Sequence, residues 1–238
     1  MIIDTTFHMD TDAGGRDPDS YSLTLKNYHK LLWSKSLPNG QMFELNDDYK
    51  GPYSGSYLYH NSELGEFFLG SDAITHSYRN QKKFKWITEQ IPEHVKELYD
   101  AGSTIGAFIL FPKKQVNKKN NINQARGVNP FINDRFDLTL ECIRRFYKDE
   151  TSPLYQTLLR YREFFDLFGS FEGYVQFFLL DDLIDEERNV KFYLPFDNFE
   201  SKPYFKDIND YLIYKEKTIK FITTRNQRIV NEVNLRKR

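Results

Sequence analysis

Between Lys113 and Arg126 the chain carries five cations and no acid, and carboxylates follow at Asp134, Asp137 and Glu141. Lys113, Lys114, Lys118, Lys119 and Arg126 suit phosphate groups, because long side chains on a loop bring charged donors to an anion without demanding one geometry. At about 100° per residue, Asp134, Asp137 and Glu141 fall on one helix face with Arg145, opposite Phe136, Leu140 and Ile143. Stacked acids repel one another by a few tenths of a kcal/mol, so the face would suit a divalent metal ion or general acid/base work. The plainer alternative is a solvated face, in which Glu141 pairs with Arg145 and Asp134 favours a helix start. If basic loop and acidic helix enclose one cleft, the expected chemistry is directed at a nucleotide or nucleic acid. No aromatic residue lies between Lys113 and Val128, so base stacking would have to come from elsewhere, such as Phe131.

Other candidate sites are weaker. Asp10, Asp12 and Gly15 match three positions of a calcium loop, but Gly14 and Tyr21 stand where ligands belong, and turn or helix-cap roles are expected for these aspartates and for Asp17 and Asp19. The histidines (His8, His29, His60, His76 and His94) are scattered without metal-site spacing and are read as structural. Ser54 and Ser56 have no general base nearby in sequence. No phosphate-binding glycine loop or nucleophile elbow is present.

The elements that would position these residues follow from periodicity and punctuation. Residues 2–8 are rich in β-branched types and predict a first strand. Tyr21, Leu25, Tyr28 and Leu32 mark one helical stripe behind a cap at Asp19 or Ser20. After the turn Leu37-Pro38-Asn39-Gly40, the runs QMFEL, SGSYLYH and GEFFLG predict an antiparallel meander. A helical region from about Arg79 restarts at Pro92 and stops at Gly102, and Thr104 to Phe111 predicts a buried strand. Asn129-Pro130 opens the acidic helix, Ser152-Pro153 a second that stops at Gly169, and Phe171 to Leu179 a third. VKFYLPF predicts a last strand, and Ile208 to Val233 a long basic helix.

Strands and helices come in runs, which predicts an α+β fold, a mainly antiparallel sheet with a run of helices packed against it, in one globular domain over 1–238. The composition, 39% apolar, 28% charged and 16% aromatic, excludes disordered and fibrous classes. A net charge of −1 confines any attraction to nucleic acid to a local patch. Cys142 is the single cysteine, which rules out an internal disulfide and suits a cytoplasmic setting. No apolar window approaches membrane-span length, and no membrane partner is expected.

At DPDSYS, YHKLLWSKSLPNG, DAGSTIGAF, NINQARG and DRFDLTLECIRR the chain resembles an uncharacterised family of prokaryotic proteins catalogued as a domain of unknown function. The resemblance covers nearly the whole chain, implies an intracellular prokaryotic protein and supplies no catalytic residues. Two expectations therefore stand: a phosphate-directed protein, in which a divalent metal ion is the cofactor the acids would take, or a non-enzymatic interaction protein that docks through aromatic surface or its basic C-terminal helix.

Overall fold

The strand signals around residues 58–73 fold into a hairpin. In the computed structural model, which describes residues 2–47 and 57–236, β3 (Leu58–Ser62) and β4 (Gly65–Ala73) run antiparallel from Leu58 against Leu69 to Ser62 against Gly65. The turn needs glycine, since Gly65 sits at φ +129°. β5 (Phe108–Pro112), buried at all five positions, pairs antiparallel with the other edge of β4 and completes the order β3-β4-β5. A separate two-stranded ribbon, β1 (Lys35–Ser36) with β2 (Met42–Phe43), brackets the Pro38–Gly40 turn.

Helices supply most of the rest. A short α1 (Pro18–Tyr21) leads into α2 (Leu23–Trp33), where Ser22, rather than Asp19 or Ser20, caps Leu25 N; of the predicted stripe Leu25, Tyr28 and Leu32 are buried, while Tyr21 ends α1 and is exposed. Then come α3 (Lys85–Thr88), α4 (Pro92–Gly102), α5 (Ile122–Val128), α6 (Phe136–Tyr147), α7 (Tyr155–Leu159), α8 (Arg162–Asp166), α9 (Phe171–Phe177) and α10 (Ile208–Leu235). α10 packs along α4 and the 105–107 turn. Gly106 permits this approach: a Cβ there would lie 2.6 Å from Asn226 Oδ1 and 2.8 Å from the Ile222 carbonyl. The α8 and α9 region fills the core with rings, in which Phe164, Phe168, Tyr174, Phe177 and Phe178 form a chain of ring contacts. The architecture is α+β, with a small antiparallel sheet under many helices. No helix among the described residues is long and apolar enough to cross a membrane.

Several predicted elements are reshaped by tertiary hydrogen bonds. Residues 2–8 form no strand, because the Asp4 carboxylate accepts from the Thr6 amide (2.8 Å) and hydroxyl (2.6 Å) and bends the chain. VKFYLPF makes only a bridge between Ile184 and Val190, carried by Lys191 N to the Leu183 carbonyl and Asp185 N to the Asn189 carbonyl, and the pairing goes no further because Tyr193 N is spent on Asp137 Oδ2. The helix expected from Ser152-Pro153 is two short ones, α7 and α8. The acidic helix begins at Phe136 rather than after Asn129-Pro130, because the Asn129 side chain accepts from Phe131 N in a local turn and Asn133 and Asp134 are left-handed (φ +52° and +60°). Asp134 is therefore off the helix, and the i, i+3, i+7 stack does not form. Ser54 and Ser56, with the first part of SGSYLYH, lie outside the described residues.

Candidate functional site

Asp17 caps α1 by accepting from Asp19 N (3.2 Å), with Pro18 in the first turn where its missing N–H costs nothing. This short helix packs on β4 and holds the half-buried Asp19 beside Ser71, Asp72 and Ala73. His76 leaves the end of β4 on the same side. From the opposite direction, a capping box between Asn121 and Gln124 fixes α5 and delivers Arg126 into the interior.

Arg126 is fully buried and ties these parts together. Its Nε donates to Thr139 Oγ1 (3.0 Å), Nη1 to the Asp72 carboxylate, and Nη2 lies 3.5 Å from both the carbonyl and Oδ1 of Asp134. The other Asp134 oxygen is 2.8 Å from His76 Nε2, whose side chain is a third exposed. A relay of charges thus runs from buried Asp72 through Arg126 and Asp134 to the accessible imidazole.

The cleft beyond this relay has a volume of ≈ 380 Å³ and is walled by Asp10, Asp17, Asp19, Thr75, His76 and Arg79, with Tyr99 behind Arg79. The Arg79 guanidinium lies 3.5 Å from the Tyr99 ring centroid, and the Tyr99 hydroxyl donates to Asp10. Thr75 Oγ1 is buried without a hydrogen-bond partner among the described residues. Tyr78, Asn133 and Asp134 are all left-handed, and the Tyr78 hydroxyl donates to the Asn133 carbonyl (3.0 Å). Such backbone costs of order 1 kcal/mol or more per non-glycine residue, and strain of this kind clusters at functional sites.

The electrostatics separate the acids. Burial, then the neighbouring Asp72 and Asp17 charges, pushes Asp19 up to about 8. Burial also pushes Asp72 up to about 6 against the pull of Arg126. Asp134 goes the other way: burial opposes its charge, but Arg126 and His76 hold it below the usual carboxylate range. Burial likewise opposes a charged His76, yet its hydrogen bond and charge pairing with Asp134 keep the imidazole above its ordinary value. Environments that drive like groups apart in this way mark acid/base sites. Among the described residues no group of His, Cys, Asp or Glu has the arrangement to hold a metal ion.

The residues singled out by spacing divide. Arg126 and Asp134 meet in this relay. Asp137 is buried against Arg135, with Arg135 Nε at 3.1 Å, and accepts Tyr193 N at 2.9 Å. Glu141 is clamped by Arg144 (2.7 and 2.8 Å) and Arg145 (2.8 Å). The side expected to take a metal ion or do acid/base work, with a solvated face as the plainer alternative, is an ion-paired interior: the expected Glu141–Arg145 pair is present, and Asp137 and Glu141 are committed to arginines. Glu141→Gln is expected to cost about 1–3 kcal/mol in a denaturant melt, because the arginines lose a charged acceptor, while leaving ligand responses at the cleft unchanged. Lys113 lays its stem over Gly70, and Lys114 sits 5.3 Å from the Phe68 ring. Lys118 and Lys119 line a different, open groove with Asn120 and Arg160, and neither they nor Lys113 and Lys114 border the Asp19 cleft.

Asp19, Asp72 and His76 were missed as chemistry. The first was expected to be a turn or cap residue, a role that Asp17 takes here, while Asp12 caps α2 by accepting from Ser22 Oγ (2.6 Å) and Thr24 N (2.7 Å). Nothing local to His76 announces Asp134, 58 positions on. The acidic N-terminal loop and Arg126 do meet, at Asp72.

Neither a curated protein nor a solved structure matches the chain significantly. A family model does, over residues 3–229, a span that holds every residue of the cleft and of the relay behind it, and the chain belongs to that family, the family of unknown function DUF6994.

Proposed function

We propose that the protein is a small-molecule enzyme working by general acid/base catalysis in the Asp19 cleft. Asp19 is the proton donor, and the His76–Asp134 pair holds and orients a second polar group of the substrate. The observation that carries this reading is the convergence of a half-buried carboxyl and a carboxylate-paired imidazole on the walls of one cleft. Its volume lies in the range of small-ligand sites, about 300–1,000 Å³. A carboxyl that keeps its proton near neutral pH can give it to a leaving oxygen or a polarised carbonyl, a contribution of about 10²–10⁴ in rate. Because Asp10, Asp17 and Asp19 face His76 and Arg79, the walls favour an uncharged or amphoteric polar substrate over a polyanion. A cytoplasmic location goes with this reading, as Cys142 is a free buried thiol.

Asp19→Asn separates the elements of this reading. In the unfolded chain the carboxyl ionises near 3.8 and in the fold near 8, so the folded protein holds the proton more tightly. Its contribution to stability is complete below about 3.8 and is lost as pH rises towards 8. Asparagine has no proton to lose. The variant is therefore expected to melt above the parent at pH 8, with the gap closing towards pH 4. In a thermal-shift panel of polyols, sugars, amino acids, amines, nucleotides and inorganic phosphate, a ligand at 100 times its Kd adds about 2.7 kcal/mol. Uncharged or amphoteric members are expected to shift the parent and not Asp19→Asn. Equal shifts in both proteins would remove Asp19 from binding and catalysis.

A second reading keeps the nucleotide or nucleic-acid expectation and moves it to the groove of Lys118, Lys119, Asn120 and Arg160, whose walls contain no carboxylate among the described residues. Shifts confined to nucleotides and phosphate, weakened by salt and lost in Lys118→Ala/Lys119→Ala, would favour it. A panel silent in every arm would favour the non-enzymatic docking role.

A further inference from the structure

We propose that Trp33, His29 and Ser71 form a one-way hydrogen-bond chain that orients the Asp19 carboxyl, with Ser71 as the positioning residue at its end. The chain crosses three elements, from the inner face of α2 through β4 to α1. Trp33 Nε1 lies 2.9 Å from His29 Nδ1, His29 Nε2 lies 3.0 Å from Ser71 Oγ, and Ser71 Oγ lies 3.4 Å from Asp19 Oδ1.

Its direction follows from the chemistry of its first member. An indole N–H can only donate, so His29 Nδ1 must accept and carries no proton. The ring is fully buried, and burial, with the Arg225 charge, brings its pKa down to about 3, which leaves it neutral. A neutral imidazole with a bare Nδ1 has its hydrogen on Nε2, and that hydrogen can only go to Ser71 Oγ. With a lone pair thus engaged, the serine hydroxyl turns its own hydrogen to Asp19 Oδ1. The indole fixes the first two links, and the approach of Ser71 Oγ to Asp19 Oδ1 sets the third.

The chain ends at an indole, so it is no conduit for protons to solvent. It fixes which oxygen of Asp19 is free. Oδ1 accepts from Ser71, and the acid proton of the neutral carboxyl belongs on Oδ2. The groups facing Asp19 are Asp72 and the Ala73 amide from β4, His76 just beyond it, Asp17 from the start of α1, and Tyr57 just before β3. Ser71 is the hydroxyl that reaches the Asp19 carboxyl, the Tyr57 hydroxyl being given to the Ser22 carbonyl. The catalytic meaning of this orientation rests on Asp19 being the proton donor, but the chain itself does not.

The test uses NMR on the unliganded full chain. Nitrogen-15 shifts of His29 report its tautomer, and the Asp19 carboxyl carbon reports its titration. The Nε2–H tautomer is expected in the parent, unprotonated down to pH 5. Ser71→Ala removes a donor to the ionised carboxylate, so the Asp19 midpoint is expected to rise by about 0.5 pH, and Ser71→Thr, which keeps a hydroxyl, is expected to restore it. Trp33→Phe is expected to relax the tautomer preference. A parent His29 with its hydrogen on Nδ1, or an Asp19 midpoint unmoved in folded Ser71→Ala, overturns the proposal. The parent tautomer decides even if a variant fails to fold. Both readouts are independent of any ligand, so they can succeed while the enzyme reading fails, and the reverse.

Discussion

Arg126→Met is expected to lower stability by about 3–5 kcal/mol, the range for removing one partner of a buried ion pair. At about 2–4 °C per kcal/mol for a chain of this size, the melting temperature should fall by roughly 10 °C. The loss is not mainly that of the attraction. Asp72 stays behind, fully buried, without the guanidinium that opposes its desolvation, and Asp134 loses the largest of the cations that keep it ionised, with His76 and Lys83 left. Methionine fills much of the volume and donates nothing. The double variant Arg126→Met/Asp72→Leu should recover much of the loss, because a pair of apolar groups needs no compensation in the interior. It should also lower the Asp19 midpoint from about 8, since Asp72 is the largest neighbouring charge raising it. Differential scanning calorimetry on parent, single and double variants decides the matter. A single variant as stable as the parent, or a double variant no better than the single, would show that the pair does not carry the base of the cleft.

Arg225→Met is expected to cost a similar amount, about 3 kcal/mol or more, for a different reason. Arg225 is fully buried with no acid beside it among the described residues, and burial brings its pKa down to about 10. What it has instead is carbonyls: Nε and Nη2 donate to Phe178 O (3.1 and 3.0 Å), and Nη1 donates to Gly106 O and Phe108 O (both 2.9 Å). One guanidinium thus closes the C-terminal end of α9 and ties it to the entry of β5 from the middle of α10. Each carbonyl left buried and unpaired costs about 1–3 kcal/mol, offset in part by no longer burying a charge. Arg225→Lys should be nearly as damaging, because an ammonium cannot span these acceptors with the fixed fork of a guanidinium. Chemical denaturation of both variants measures this. A lysine variant within about 0.5 kcal/mol of the parent would mean that charge alone suffices there.

Both arginines explain why the site was only partly legible. The basic segment 113–126 reads as one cationic loop, yet its last member has the opposite fate from the rest. Arg126 follows a capping box, sits on a helix and turns inward, while Lys118 and Lys119 remain at an open groove. Charge is a property of the residue, but whether a charge meets water or another charge depends on what packs above it. The same holds for Asp137 and Glu141, whose helical spacing reads as a metal-binding, acid/base or solvated face and whose arginine partners make it an interior.

From the sequence alone came the α+β class, the buried β5, the β3–β4 hairpin, the inward stripe of α2 and the length of α10, together with the family to which the chain belongs. These are set by short-range rules: apolar periodicity, glycine and proline punctuation, and caps that act within one turn. The tertiary structure alone decided which acid keeps its proton. Asp19, Asp72, His76 and Asp134 are spread over more than a hundred positions, and their pKa values diverge because the α1, β4 and 129–134 segments exclude water around them together. Desolvation and charge proximity are functions of distance in space, and no local pattern of residues encodes them.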